Sequence, residues 1–149
     1  NLVVGDRHSY TNTGGFVAGS NNNITGVAAA VCGGHYNTAS AGSTAILGGY
    51  YNNASDTYAT VSGGYDNEAS GKASSVTARF KNVAEGDYSN VNGGLENEAI
   101  GSLSTVTGGQ GNAALGVSSS VTGGLKQLAR EDYTAIFGVG ESDSVPFPF

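Results

Sequence analysis

The sequence lacks the large side chains from which an ordinary globular core is built. It has no tryptophan and no methionine, and five phenylalanines stand against 25 glycines in 149 residues. A chain of this composition cannot fill a thick core between layers of helix or sheet. Any core that it forms must be thin.

Charge is also scarce, positive charge above all. Six basic and twelve acidic residues leave a net charge of −6, and no basic run is present. The sequence therefore offers no basic patch that could bind a phosphate backbone or an anionic membrane surface, which argues against nucleic acid as a partner.

No apolar run approaches the roughly 20 residues that span a bilayer, so we expect no membrane insertion. The chain opens without the layout of a signal peptide, and we expect a mature product or an excised piece.

What the sequence has in abundance is self-similarity at a period of fifteen residues. Glycine pairs recur at this spacing, and Ala78-Arg79 fills the one vacant slot. The pairs are Gly33-Gly34, Gly48-Gly49, Gly63-Gly64, Gly93-Gly94, Gly108-Gly109 and Gly123-Gly124. Such an array indicates a repeat architecture.

Three further columns share this period. The residue two places before each pair is Val or Ile, namely Val31, Ile46, Val61, Val76, Val91, Val106, Val121 and Ile136. An amide follows six places later, at Asn37, Asn52, Asn67, Asn82, Asn97, Asn112 and Gln127. Alanine comes two residues after each amide, from Ala39 to Ala129. The register extends backwards through Phe16, Asn22 and Ile24 and, with one residue deleted, reaches Leu2.

These columns predict an all-β fold. Each repeat has two short alternating segments separated by glycine-rich turns, which is typical of strands, and nothing repeats at 3.6 residues. Coils stacked about 4.8 Å apart bury what a single short strand cannot. We predict a parallel β-solenoid of about nine to ten 15-residue coils, with two short strands per coil, over residues 1–140. The Val/Ile row and the alanine row face each other inside it.

The amide column has two interpretations. Stacked inward amides satisfy turn backbone groups and one another in a ladder. The alternative is that these asparagines bind a ligand.

Several segments of the sequence resemble repeats of known protein families. "NLVVGD", "ATVSGGYDNEASG" and "SSVTGG" are similar to the β-roll of trimeric autotransporter adhesin heads and of haemagglutinin-type bacterial surface proteins. "NNNITG" is also similar to the β-roll of grass ice-binding proteins. The resemblance implies a left-handed coil and an extracellular or cell-surface setting. Adhesin heads usually run on a fourteen-residue coil, from which this chain departs by one extra glycine.

One predicted face carries no charge. We name as the strip the residues that point outward beside the Val/Ile row, from the pairs Asn1/Val3 and Gly15/Val17 to Ala135/Phe137. Its central residues are Thr60, Ser62, Ser75, Thr77, Asn90, Asn92, Thr105, Thr107, Ser120 and Thr122. Ser and Thr suit any exposed strand. The absence of charge over ten rungs favours instead a surface that contacts a copy of itself, a partner or ice.

A second column follows the glycine pairs. Its large members, the turn column, are Tyr50, Tyr65, Phe80, Leu95 and Leu125, in register with His35 and Gln110. An apolar stripe at an exposed corner is typical of an interface, or the side chains fold back over the glycines. We expect Tyr58, Tyr88 and Tyr133 to pack at the other corner with their hydroxyls in water.

No motif supports catalysis, a metal or another cofactor. His8 and His35 have no fixed relation to a nucleophile, and Cys32 has no disulfide partner and no base in its own motif. Acids do not recur with the regularity that calcium coordination in a β-roll needs. Arg79-Phe80-Lys81 makes one coil bulge and places two positive charges there, either as a local contact point or as a tolerated irregularity.

We therefore expect a non-catalytic extracellular module. We expect it to be an elongated head or fibre segment of a bacterial surface protein that acts as a homotrimer or filament, and a host or surface receptor is a candidate further partner. Ice binding through the strip is the alternative. Residues 141–149 leave the repeat, and their apolar Phe147 and Phe149 predict a tail that caps the last coil or docks on the next subunit.

Overall fold

In a computed structural model, which describes residues 1–138 and 142–143, the chain is a parallel β-solenoid of about nine coils with two short strands per coil. This confirms the predicted fold class. The described residues form two ten-stranded parallel sheets and no helix. Strands alternate between the sheets, so each coil contributes one rung to each.

The first sheet, here the valine sheet, carries the Val/Ile row. Its strands are β1 (Leu2–Asp6), β3 (Phe16–Ser20), β5 (Ala30–Val31), β7 (Ala45–Ile46), β9 (Thr60–Val61), β11 (Ser75–Val76), β13 (Asn90–Val91), β15 (Thr105–Val106), β17 (Ser120–Val121) and β19 (Ala135–Ile136). The valines of the row from Val17 to Val121 are fully buried because alternate residues of a strand point to opposite faces.

The second sheet, the alanine sheet, closes the core from the other side. Its strands are β2 (Ser9–Tyr10), β4 (Asn23–Ile24), β6 (Thr38–Ala39), β8 (Asn53–Ala54), β10 (Glu68–Ala69), β12 (Val83–Ala84), β14 (Glu98–Ala99), β16 (Ala113–Ala114), β18 (Gln127–Ala129) and β20 (Ser142–Asp143). Ile24 and the alanines from Ala39 to Ala129 are buried opposite the valines. Small residues on one side and medium ones on the other give the thin core that the composition requires.

The amide column forms a buried ladder in the interior, as the first interpretation of the sequence predicts. Asn22 through Gln127 are almost completely buried. In a typical rung, Asn97 Oδ1 accepts the Asn112 backbone N–H at 3.0 Å. Asn97 Nδ2 donates to the carbonyls of Gly93 and Gly109 at 3.0 and 3.1 Å. The ladder therefore satisfies the backbone of the turn after the valine sheet.

The predicted register is wrong at the N-terminal end. Val17, not Phe16, is buried and pairs with Val31, whereas Phe16 pairs with Ala30 and points outward. The reason is that one glycine, Gly19, follows this strand where later coils have two. The spacing from Val17 to Val31 is thus fourteen residues, and β3 continues unbroken to Ser20.

The same correction applies to the first coil. Leu2 pairs with Phe16 and Val3 with Val17, so the strip begins with Leu2/Val4 and Phe16/Ala18. Asn1/Val3 and Gly15/Val17 are not outward pairs.

The Ala78-Arg79 coil departs locally from the others. Asn67 Nδ2 donates to the Ala78 carbonyl, where the equivalent amides of other coils bond the carbonyl of the second glycine. Asn82 Nδ2 donates to the Phe80 carbonyl rather than to that of the residue four places back. The ladder adapts to the missing glycine pair and stays unbroken.

At the C-terminal end the alanine sheet gains β20, which pairs with β18 through Gln127↔Ser142 and Leu128↔Asp143. The remainder of the predicted tail, Phe147 and Phe149 included, lies outside the described residues.

Candidate interaction surfaces

The structure brings the ten central strip residues together on the outer face of the valine sheet. Thr60, Ser75, Asn90, Thr105 and Ser120 stand in parallel register on five adjacent strands. Their partners Ser62, Thr77, Asn92, Thr107 and Thr122 form a second, more exposed row. Neighbouring rungs are about 4.8 Å apart, and the Ser62 and Thr77 hydroxyl oxygens lie 3.5 Å from each other.

The two faces of the solenoid differ in charge. None of the paired outward positions of the valine sheet carries an ionisable Asp, Glu, Lys or Arg, from Leu2/Val4 to Ala135/Phe137. On the alanine sheet, Glu68, Glu85, Glu98 and Arg130 occupy the equivalent positions. Desolvating the first face therefore leaves no charge unpaired, whereas covering the second requires a partner for each carboxylate.

Both ends of the strip are apolar. Leu2 and Val4 are 61% and 53% exposed at one end, and Phe137 is 73% exposed at the other. Leu47, 58% exposed, lies between the first end and the hydroxyl-rich centre. The register correction strengthens this character, because Phe16 replaces Gly15 as an outward residue.

The turn column forms a continuous ladder at the corner that follows the valine sheet. Parallel bridges join His35 to Tyr50, Tyr65, Phe80, Leu95, Gln110 and Leu125 in succession. The Tyr50 and Tyr65 rings stack with centroids 5.5 Å apart, and Tyr65 and Phe80 at 5.4 Å. The rings stack along the solenoid axis, so their outward edges line the corner.

Two tyrosines that the sequence patterns did not single out join this ladder. The Tyr36 and Tyr51 rings stack with each other at 5.0 Å, and each meets Tyr50 edge to face. Desolvation among these rings, together with the neighbouring phenols, raises the pKa of Tyr50 above its ordinary value. Tyr36 and Tyr51 both have a left-handed backbone conformation, with φ of 56° and 58°, which L-residues rarely adopt. The only available sequence signal was the adjacent Tyr50-Tyr51 pair.

The opposite corner carries isolated aromatic side chains. Tyr58, Tyr88 and Tyr133 lie there with 59%, 50% and 69% exposure. The three residues between them in the same column are small or aliphatic, so no continuous ring stack forms. This corner presents separate phenols to solvent.

The side chains whose chemistry could serve catalysis are dispersed over the solenoid. His8 contacts the Val4 carbonyl and the Asn22 backbone N–H, and His35 lies 6.2 Å from the Tyr50 ring. Cys32 is a free, exposed thiol of the strip. Within residues 1–138 and 142–143, no three His, Cys, Asp or Glu side chains come close enough to hold a metal ion. Nor does any described segment form a helix that could cross a membrane.

Comparison with known proteins found no family model and no curated protein that matches the chain.

Proposed function

We propose that this chain is a non-catalytic structural and adhesive module of a cell surface, which assembles with copies of itself through the strip. The observation that carries the proposal is the row of outward pairs without charge on the valine sheet, from Leu2/Val4 to Ala135/Phe137, while the opposite sheet carries carboxylates. A face of this kind loses little on desolvation, and the burial of apolar anchor side chains drives most protein–protein association. Leu2, Phe16, Leu47 and Phe137 are such anchors.

The extracellular location rests on the resemblance of the repeats to adhesin heads. Such heads assemble as trimers, and a stack of identical coils also suits a filament. Either assembly needs each copy to present the same long, regular surface, which the strip does.

A second candidate function is ice binding. It is favoured by the two rows of hydroxyl groups at about 4.8 Å spacing in the centre of the strip. Asn90 and Asn92 interrupt those rows, and the apolar ends exceed what an ice-facing surface needs. The geometry therefore favours a protein partner.

The test is to measure the mass of the purified chain by light scattering, together with thermal hysteresis, for the wild type and two variants. Thr107→Lys places a charge at the centre of the strip and should weaken self-association at least tenfold, the effect of about 1.4 kcal/mol. Glu98→Lys, on the outer face of the alanine sheet, is the control and should leave assembly unchanged. The wild type should show no hysteresis.

Two results would contradict assembly through the strip. A wild-type monomer with hysteresis that Thr107→Lys abolishes would establish ice binding instead. Assembly that survives Thr107→Lys would move the interface elsewhere, with the turn column as the next surface to test.

A further inference from the structure

We propose that the groove beside Phe80 binds a saccharide that carries a single carboxylate. The groove encloses about 360 Å³ and is lined by Arg79, Phe80, Gly94, Leu95, Gly109 and Gln110. That volume lies in the range of small-ligand sites. The groove is separate from the strip, and binding there requires no self-association.

The groove lies where the repeat is broken. Six coils have a glycine pair after the valine sheet, and only this one has Ala78-Arg79 instead. The departure changes which carbonyls the Asn67 and Asn82 amides bond. Ala78 is buried in the core and adds packing there, so only Arg79 departs from the repeat without such a gain. A local rule of the fold that is broken without a gain in packing indicates a functional cause. Arg79 is exposed, so its side chain fills no core space.

Arg79 supplies the positive charge. In its own column its neighbours are the glycines Gly64 and Gly94, which carry no side chain. Within the described residues it makes no ion pair and no hydrogen bond through its side chain, although the chain as a whole carries net negative charge. A guanidinium group matches a carboxylate with two parallel hydrogen bonds. An unpaired arginine of this kind selects an anion.

Phe80 supplies the apolar wall. One face of its ring stacks on Tyr65, and it ends the run of stacked aromatic rings, because the next residue of the column is Leu95. The C–H face of a pyranose ring packs on such a surface, whose π face is negative. Gln110 stands two coils further along, about 10 Å away, and its amide offers both donors and an acceptor to hydroxyl groups.

The glycines complete the site. Gly94 and Gly109 add no side chain, so a ligand can approach the backbone closely. An anion, a flat apolar face and hydroxyl groups are combined in the uronic and related acid sugars. A disaccharide fits the distance from Phe80 to Gln110.

Binding is tested by calorimetry and by amide chemical shifts with cellobiouronic acid, a disaccharide with a single carboxylate, against neutral cellobiose. The acid should bind and shift the Gly94 and Gly109 amides, and cellobiose should bind about tenfold more weakly. Arg79→Gln should reduce affinity for the acid by about the same factor, and Phe80→Leu should reduce affinity for both sugars.

Lys81→Gln is the matched control. It removes the same charge two residues away. Lys81 Nζ lies over the Phe80 ring, 5.3 Å from the ring centroid, but Lys81 does not line the groove. Its affinity should stay within twofold of the wild type. An equal loss in Lys81→Gln and Arg79→Gln would mean unspecific attraction and would overturn the proposal, as would the absence of binding or equal binding of both sugars.

A second variant separates binding from folding. The substitution Arg79→Ala removes the exposed guanidinium group and leaves the buried Ala78 in place. It should fold with unchanged or higher stability and lose the binding. Lower stability of this variant would show that Arg79 serves the fold and would overturn the argument from the groove's position.

Discussion

At the residue scale, the two glycines of the Gly108-Gly109 pair have different roles. The second is required by the fold: Gly109 has φ of +87°, and an added Cβ would lie 2.2 Å from the Gly124 carbonyl oxygen. The first is not: Gly108 has no left-handed φ, and an added Cβ would meet nothing within 4 Å. The fold of a single chain therefore requires the second glycine of this pair but not the first.

This difference gives a matched pair of substitutions. Gly109→Ala should lower the free energy of unfolding by several kcal/mol, because the backbone of the next coil must move. Gly108→Ala should change it by less than about 1 kcal/mol. Urea denaturation of both variants measures the two effects, and a similar loss in both would contradict the assignment.

A row of buried hydroxyl groups also acts at this scale. The residue before each valine-sheet strand is buried, and in four coils it is a serine: Ser74, Ser89, Ser104 and Ser119. None of the four Oγ atoms has a hydrogen-bond partner among the described residues. Burying an unpaired hydroxyl costs free energy.

Ser104→Ala should therefore stabilise the protein by about 1 kcal/mol. Ala29 and Ala59 already occupy the equivalent position in other coils, so the change fits the fold. Thr44→Ala is the control with the opposite expected sign, because the Thr44 hydroxyl donates to the Ala41 carbonyl at 2.9 Å. Thermal or urea unfolding of the two variants would refute this account if Ser104→Ala were the more destabilising change.

At the scale of elements, strands of two residues are stable here because the amide ladder supports them. Each amide bonds two turn carbonyls and accepts the backbone N–H of the next amide, so a rung joins three successive coils. Sheet hydrogen bonds and ladder bonds run in the same direction, along the stack.

Removing one rung should be costly. Asn97→Ala removes the side-chain partner of the Asn112 N–H and of the Gly93 carbonyl, whereas the Gly109 carbonyl keeps the Leu95 N–H. We therefore expect a loss of about 3 kcal/mol or more. Asn53→Ala, on the outer face of the alanine sheet, is the control and should cost less than about 0.5 kcal/mol. Hydrogen exchange should show lost protection at the Asn112 amide in the first variant only, and retained protection there would count against the ladder.

The elements also show what the sequence could and could not predict. The Val/Ile row, the alanines and the amide ladder were predictable because every coil repeats the same environment at the same place. The predicted register at Phe16 was wrong because a single glycine at position 19 shortens the turn by one residue. A search with a fixed period of fifteen does not detect such a shortening. Tyr36 and Tyr51 were missed because they sit in left-handed turns that tyrosine does not favour by itself. The groove at Arg79 was visible only as a break in the period, and its lining needed coordinates.

At the scale of the whole molecule, the solenoid divides its surface into four long sides. The strip and the charged face of the alanine sheet lie opposite each other, and the turn column and the Tyr58 corner separate them. Residues far apart in the chain, such as Thr60 and Thr122, reach the same side because the coil returns every fifteen residues. Assembly and ligand binding can therefore occupy different sides without competing.

The direction of the hydrogen bonds has a mechanical consequence. Tension applied between the two ends pulls directly against the bonds that join one coil to the next, so the coils should detach singly, beginning at an end. Each detached coil exchanges a rise of about 4.8 Å for roughly 50 Å of extended chain. The molecule would lengthen about tenfold through a series of small, similar ruptures rather than one large one. Such a series would dissipate work over a long extension, so stretching single molecules should give many small force peaks at regular intervals.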